Sequence, residues 1–294
     1  MERSKRPVIL NFVDHYENPM TENTVGWPSW CARWESSIPG SLKSLTQPLD
    51  RDDGHCWYRT SLSTSFYFRG LDNCRLVVKG FVFHTLQKTF EPMGDSHFPM
   101  SSYVMPGDDE RTFPGVVYEI FNYQTTYPLV YADILLPVAM TATAGYWVGM
   151  YEDAEMKYSW RHHASFRAYM SAETKGTPNP VGFPDITPST SEGGSAERFA
   201  YDAYLTCRRR RFGLTRNGYL CLVPDIAQDG DVICVIFGSR TPFVLRPLPD
   251  GTYLFIGECY VHGIMRGEAM AEFDARCRKK NRKGSRKRCQ RRSS

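Results

Sequence analysis

Two histidines near the ends of long apolar runs are the strongest candidates for acid–base chemistry. His84 lies near the end of RLVVKGFVFHTL, and His262 lies near the end of YLFIGECYVHGI. A histidine titrates near neutral pH, and a thiol paired with it becomes a nucleophile, so Cys259 and His262 suggest a Cys–His dyad. Residues three apart on a strand face opposite sides, so these two are not expected to meet. An unrecognised enzyme with a pocket near His84 and His262 is therefore the third hypothesis.

The other residues that could perform chemistry lack the spacing that chemistry requires. His162 and His163 fall on a predicted helix, where neighbours point about 100° apart and cannot easily share a metal, so we interpret them as a partly exposed helix face. The nine cysteines form no C-x-x-C pair and no zinc-type cluster. No phosphate loop, dinucleotide fingerprint, nucleophile elbow or H-E-x-x-H motif occurs. The sequence thus predicts no catalytic residue, no metal, no cofactor and no enzyme.

The C-terminal tail is strongly basic. Residues 276–294 hold eleven of the 36 Lys and Arg residues and no acid, which leaves 25 basic and 32 acidic residues in the rest of the chain. A block of like charges is typical of a disordered segment, a nuclear-localisation signal or a phosphate-binding patch. No aromatic residue is interleaved, so any nucleic-acid contact would be to phosphates. The candidate residues are Arg278, Lys279, Lys280, Arg282, Lys283, Arg286, Lys287 and Arg288.

A second basic run, CRRRRFG at 207–213, lies at a predicted helix-to-strand junction. We interpret it as a solvated junction whose charge favours the helix C-terminus. Binding of an anion or of a partner is the alternative.

Composition predicts a globular intracellular protein. Apolar residues make up 41% of 294, enough for a substantial core, and no signal peptide is evident at the N-terminus. Scattered cysteines in odd number favour free thiols in a reducing compartment. The uncharged stretch 134–150 is shorter than the roughly 20 residues of a membrane span, so we predict a buried core segment and no membrane partner. The expected location is the cytoplasm, with the nucleus as an alternative.

Regularly spaced turn signals predict an antiparallel meander in the last third of the chain. They are Asn217-Gly218, Asp229-Gly230, Gly238-Ser239 and Asp250-Gly251. Short strands separated by such turns are typical of barrels and sandwiches. The predicted strands lie near 211–215, 218–224, 231–237, 242–247 and 252–261. Further strands are predicted within 65–70 and 74–87.

The two histidine-bearing runs each contain a mid-run glycine, Gly80 and Gly257. Long strands that bend at glycine let a small barrel turn its corners. The sequence therefore predicts an α+β fold in which an antiparallel β-barrel-like sheet carries a helical insertion and ends in a disordered basic C-terminal tail. Ser195 is expected to cap the last helix of the insertion. The predicted organisation is an irregular, linker-like 1–55, a β-rich domain at 56–270 with its helical insertion at about 116–206, and a tail at 271–294.

A tryptophan-rich segment precedes the predicted domain. In GWPSWCARW, Trp27, Trp30 and Trp34 are spaced so that one helical turn could align them. We interpret them as an aromatic clamp that holds a linker on a domain surface. A stacking or cation-binding cage is the alternative.

The last third of the chain resembles the C-terminal region of fungal heterokaryon-incompatibility (HET-domain) proteins. The similarity rests on Gly218-Tyr219, Pro224, Gly230-Asp231-Val232, the block 242–246, the run 257–265 and Gly267-Glu268-Ala269. Upstream, WPSWCARW resembles the segment that follows the HET domain, and LVVKGFVFHTL resembles a family strand with His84 where an acid is usual. The motifs of the HET domain itself are not found in the sequence.

This resemblance implies nonself recognition and cell death after hyphal fusion, with the lethal activity in the HET domain. It implies no catalytic residue in the part that matches. The first hypothesis is therefore a non-enzymatic accessory module that acts through protein contacts, with a partner the sequence does not specify. The alternative is a nuclear or nucleic-acid-associated protein that uses its basic tail.

Overall fold

The computed structural model describes residues 58–62, 64–70, 75–94, 97–98, 112–123, 134–145, 159–175, 177–187 and 193–278, together with 10, 13 and 28–30. The helices over these residues are α1 (Phe113–Tyr123), α2 (Leu135–Ala142), α3 (Ser159–Glu173), α4 (Ala196–Cys207) and α5 (268–278). The strands are β1 (Phe68–Gly70), β2 (Leu76–Val78), β3 (Gly80–Met93), β4 (Arg210–Thr215), β5 (Leu220–Pro224), β6 (Val232–Ile236), β7 (Phe243–Pro247), β8 (Tyr253–Glu258) and β9 (Tyr260–Val261). The fold is therefore mixed, with antiparallel sheets as predicted.

Seven strands form one antiparallel sheet in the order β8-β7-β6-β3-β4-β5-β9. The 14-residue β3 is central because its first half pairs with β6 and its second half with β4. The end strands β8 and β9 are separated along the chain only by Cys259. A hydrogen-bonded β8–β9 pair, which would close a barrel, is not found among the described strands.

The strands β1 and β2 form a separate two-stranded sheet. The sequence predicted that the strands before and after the helical insertion form one sheet. This prediction is correct for β3 and wrong for β1 and β2. The boundary between the two sheets lies at Gly80, where an added Cβ would lie 2.4 Å from the carbonyl oxygen of Val235. Pairing with β6 begins at this glycine, and the chain before it turns away to pair with β1.

The apolar strands β5 and β6 are buried on both faces. On β6, Ile233 and Val235 face a core shared with β3, β5, β7, β8 and β9, whereas Cys234 and Ile236 face a second core with Phe243 and Phe255. On β5, alternate residues face the shared core and the helical layer in the same way. Because neither face meets water, these strands need no polar alternation.

The helices α1 to α4 pack on one face of β4 and β5 around a mainly aromatic core that includes Phe113, Phe166, Phe199 and Phe212. The uncharged stretch supplies α2, whose residues are nearly all buried, as predicted. No helix among the described residues is long and apolar enough to cross a membrane. Ser195 caps α4, because its Oγ accepts a hydrogen bond of 3.2 Å from the backbone N–H of Arg198.

The helix α5 differs from the predicted tail over residues 271–278. Phe273 stacks on Phe81 at a ring-centroid distance of 4.4 Å and meets Phe237 at 6.0 Å. Burial of aromatic surface stabilises this part of the basic segment as a helix. The tail from 279 onward, like most of 1–57, lies outside the described residues.

Candidate functional site

His84 is a buried residue of β3. Its ring stacks on Tyr219 at a centroid distance of 5.5 Å and is tilted against Phe83 at 4.1 Å. Its Nε2 is buried and has no hydrogen-bond partner among the described residues. Burial lowers the pKa of His84, an effect that Glu272 of α5 partly offsets. The neutral ring is therefore part of an aromatic stack under α5.

His262 is also buried, just after β9. Its backbone N–H donates to the carbonyl of Leu220, and its Nδ1 lies 3.3 Å from the hydroxyl of Tyr260. Burial lowers the pKa of His262 to about 4. At neutral pH it is an uncharged core residue whose ring centroid lies 6.4 Å from that of Tyr260, whereas the ring of His84 lies beside Phe83 and Tyr219.

Four buried thiols lie in or beside the sheet, namely Cys207, Cys221, Cys234 and Cys259. Burial raises the pKa of Cys259 well above its usual value, with a further increase from Cys221. Cys259 belongs to the core shared by β3 and β5 to β9, whereas the ring of His262 lies beside Tyr260, which belongs to the helical core. The alternation argument against a Cys259–His262 dyad therefore agrees with the structure, and these thiols are poor nucleophiles.

Two charged residues of the resembling motifs form a buried ion pair that joins β7 to the residue before β6. Arg246 binds Asp231 in bidentate fashion, with Nε–Oδ1 at 2.9 Å and Nη2–Oδ2 at 3.0 Å. Arg246 also donates to the carbonyl of Ile226, and Asp231 accepts from the backbone N–H of Gln228. A buried charge is tolerated when it is paired and hydrogen-bonded in this way.

A sequence signal for this pair exists. Val232 pairs with Leu245 in the β6–β7 hairpin, so Asp231 and Arg246 are the next opposed positions. They are equidistant from the predicted Gly238-Ser239 turn. An acid and a base placed symmetrically about a hairpin turn indicate a cross-strand ion pair. This pair was not among the predictions made from the sequence.

A second buried ion pair joins β4 to β8. Arg210 donates from Nη1 to the carbonyl of Glu258 at 2.9 Å, and its Nη2 lies 3.2 Å from Oε1 of the same residue. Both side chains are almost completely buried. The pairing links strands that are not neighbours in the sheet, so no local spacing would have predicted it.

The basic run at 207–213 is only partly the solvated junction that was expected. Arg210 points inward to Glu258, whereas Arg211 is half-buried near Asp225, Glu91 and Asp229, and burial lowers its pKa. Successive side chains of a strand point to opposite faces, so Arg210 and Arg211 lie on opposite faces of β4.

The interpretation of His162 as part of a partly exposed helix face is wrong, because His162 is buried with its Nδ1 3.2 Å from the hydroxyl of Thr143. His163 is half-buried beside Arg167.

A groove of about 530 Å³ separates the β1–β2 hairpin from the β7–β8 hairpin. We call it the β2–β8 groove. Its walls include Val77 and Val78 of β2 and Tyr253 and Phe255 of β8, and Ser29 and Trp30 also line it. The lining is mainly apolar, which suits binding of an apolar group.

One of the predicted tail residues lies within the described part of the chain. Arg278 is exposed at the end of α5. Lys279, Lys280, Arg282, Lys283, Arg286, Lys287 and Arg288 lie outside the described residues. Within the described ranges, no group of three or more His, Cys, Asp or Glu residues is arranged to hold a metal ion.

Comparison with known proteins identifies similarity over a region that contains both buried ion pairs. Residues 150–278 match the Het-6 β-barrel domain. The chain is 50% identical over 58 residues to "Heterokaryon incompatibility protein 6, OR allele" of Neurospora crassa. That stretch covers 19% of this chain and 8% of the Neurospora protein. No solved structure matches.

Proposed function

We propose that this chain is of the fungal heterokaryon-incompatibility type, which its match to the Het-6 β-barrel domain over residues 150–278 supports. In this proposal the chain is a non-enzymatic accessory module that acts through protein contacts in nonself recognition and regulated cell death. The observation that carries the proposal is that charged residues of the resembling motifs are buried and paired with each other or with a residue of another strand. Asp231, Arg246 and Glu258 lie within the matched region and are held in buried ion pairs. Residues held in this way support the sheet and are not available to a substrate.

The finer architecture that we infer is a barrel-like sheet closed by one continuous segment. Residues 253–261 pair with β7 at one edge of the sheet and with β5 at the other. The core shared by β3 and β5 to β9 is what a sheet curled around its own interior would enclose. We further infer that the module acts in the cytoplasm.

To test this proposal, the chain is expressed in a filamentous fungus and the viability of fused hyphal cells is measured. The wild-type chain is expected to change that viability, and the variant His84→Gln/His262→Gln is expected to change it equally. Circular dichroism and thermal unfolding check that the variant is folded. An inert wild-type chain would refute the role in incompatibility. A folded but inactive variant would refute the non-enzymatic mechanism.

The alternative function, nuclear or phosphate binding through residues 278–288, rests on the charge of that segment alone. Its test is removal of residues 279–294 from a fluorescent fusion. The alternative predicts loss of nuclear accumulation, whereas the module hypothesis predicts unchanged partner binding.

A further inference from the structure

The β2–β8 groove lies between two strands that each have an edge without a strand neighbour in the described sheets. β8 is the end strand of the seven-stranded sheet, and β2 pairs only with β1. Residues 76–78 and 253–255 of these strands line the groove. An exposed strand edge offers backbone donors and acceptors, and the apolar walls offer a surface for side chains. Both features suit a peptide.

A short segment of the chain itself contacts residues that line this groove. The backbone N–H of Phe255 on β8 donates to Ser29 Oγ at 3.0 Å. Trp30 packs against the apolar cluster that contains Phe243 and Phe255. A hydroxyl thus occupies the place of a strand carbonyl at the edge of β8, and an aromatic ring covers the apolar residues beside it.

We propose that the edge of β8 beside the β2–β8 groove is a peptide-binding site for a Ser-Trp segment, and that Ser29 and Trp30 occupy that edge as an intramolecular ligand. The partner is a peptide that presents a hydroxyl residue followed by tryptophan, the chemistry that Ser29 and Trp30 show. This inference rests on the proposed function in one respect, that the module acts through protein contacts. It assigns those contacts to one surface.

The internal segment competes with any external peptide of the same chemistry. Because Ser29 and Trp30 are tethered to the domain, their effective concentration at the groove is high, on the order of millimolar for a short tether. Weakening them should therefore open the site to a peptide added in solution.

The test uses the full chain and a fluorescein-labelled peptide of residues 26–33, GWPSWCAR, with binding followed by fluorescence anisotropy. The variant Ser29→Ala/Trp30→Ala is expected to bind this peptide about tenfold more tightly than the wild type, because the competing segment is weakened. A peptide in which both positions are alanine is expected not to bind.

A matched pair of substitutions locates the site. Val77 lines the groove and is 36% exposed, whereas Val82 is 41% exposed and does not line it. On the Ser29→Ala/Trp30→Ala background, Val77→Asp should weaken peptide binding at least about tenfold by placing a charge in an apolar site. Val82→Asp should leave binding unchanged.

The inference is overturned if the folded Ser29→Ala/Trp30→Ala chain does not bind the peptide, or if the two aspartate variants behave alike. Thermal unfolding of each variant establishes that it is folded. The hyphal viability assay is a separate measurement, so failure of peptide binding leaves the proposed function standing.

Discussion

At the scale of single residues, the buried charges of the matched region are held by protein partners. Asp231 and Arg246 share two short contacts, and each also bonds to a backbone group. Removing one partner of such a pair leaves the other charge buried without compensation, which is far costlier than losing a pair on the surface. Asp231 is therefore expected to be a key residue for stability.

The substitution Asp231→Asn should lower the free energy of unfolding by about 3–5 kcal/mol, because it leaves the Arg246 charge buried beside a neutral amide. Urea denaturation measures the change. The matched control is Glu119→Gln, which removes an exposed partner of Lys88 at 3.8 Å and should cost less than about 1 kcal/mol. Equal losses for the two variants would contradict a structural role for the buried pair.

Stability should also fall in acid because of His262. Burial lowers its pKa to about 4 in the folded state from 6.5. Above pH 6.5 both states are neutral and His262 has no effect. Between pH 6.5 and 4 only the unfolded state gains the proton, so the free energy of unfolding decreases as pH falls, by up to about 3 kcal/mol.

Urea denaturation from pH 7.5 to 4 tests this effect, with His262→Gln as the comparison. The variant should show a shallower decrease than the wild type. Some decrease should persist, because burial also lowers the pKa of His84. A variant with the same pH dependence as the wild type would show that His262 is not the residue responsible.

At the scale of elements, local sequence predicted where strands lie but not how all of them pair. Turn signals placed β4 to β7 within a few residues of their observed bounds, and the single strand predicted at 252–261 is divided into β8 and β9. Asn-Gly and Asp-Gly turns can be read locally because they depend on backbone conformation. The pairing of β3 with both β4 and β6 depends on contacts more than a hundred residues apart. The helix α5 was missed because its charge suggested disorder, while the contacts of Phe273 are tertiary.

The close approach of β3 to β6 should make Gly80 intolerant of any side chain. A Cβ at this position would lie 2.4 Å from Val235 O, so the strands would have to separate. We expect Gly80→Ala to lower the melting temperature by several degrees. Gly94→Ala is the control, since nothing lies within 4 Å of its added Cβ. Two variants that melt at the same temperature would refute the close packing.

The N-cap of α4 can be tested without changing the core. Ser195→Ala removes the acceptor for the Arg198 N–H and should cost about 1 kcal/mol. Ser195→Asp should restore most of the stability, because aspartate also caps helices well. If alanine and aspartate give the same stability in urea, the cap contributes nothing measurable.

At the scale of the whole molecule, the described core ends with α5. On this helix, Phe273 packs on Phe81 and Phe237 and lies five residues before residue 278. Removing residues 279–294 should therefore leave the melting temperature unchanged within about one degree. Phe273→Ala should lower it, since the substitution removes stacking on Phe81 and Phe237. A large loss of stability on truncation would show that the basic segment also contacts the core.

The position of β3 also determines when the protein can complete its sheet during synthesis. The strand β3 ends at Met93, whereas its partners β4 and β6 begin at Arg210 and Val232. At roughly 5–20 residues per second, a ribosome takes on the order of ten seconds to make the residues in between. Throughout that interval both edges of the longest strand lack their eventual neighbours, which exposes the nascent chain to chaperones and to aggregation.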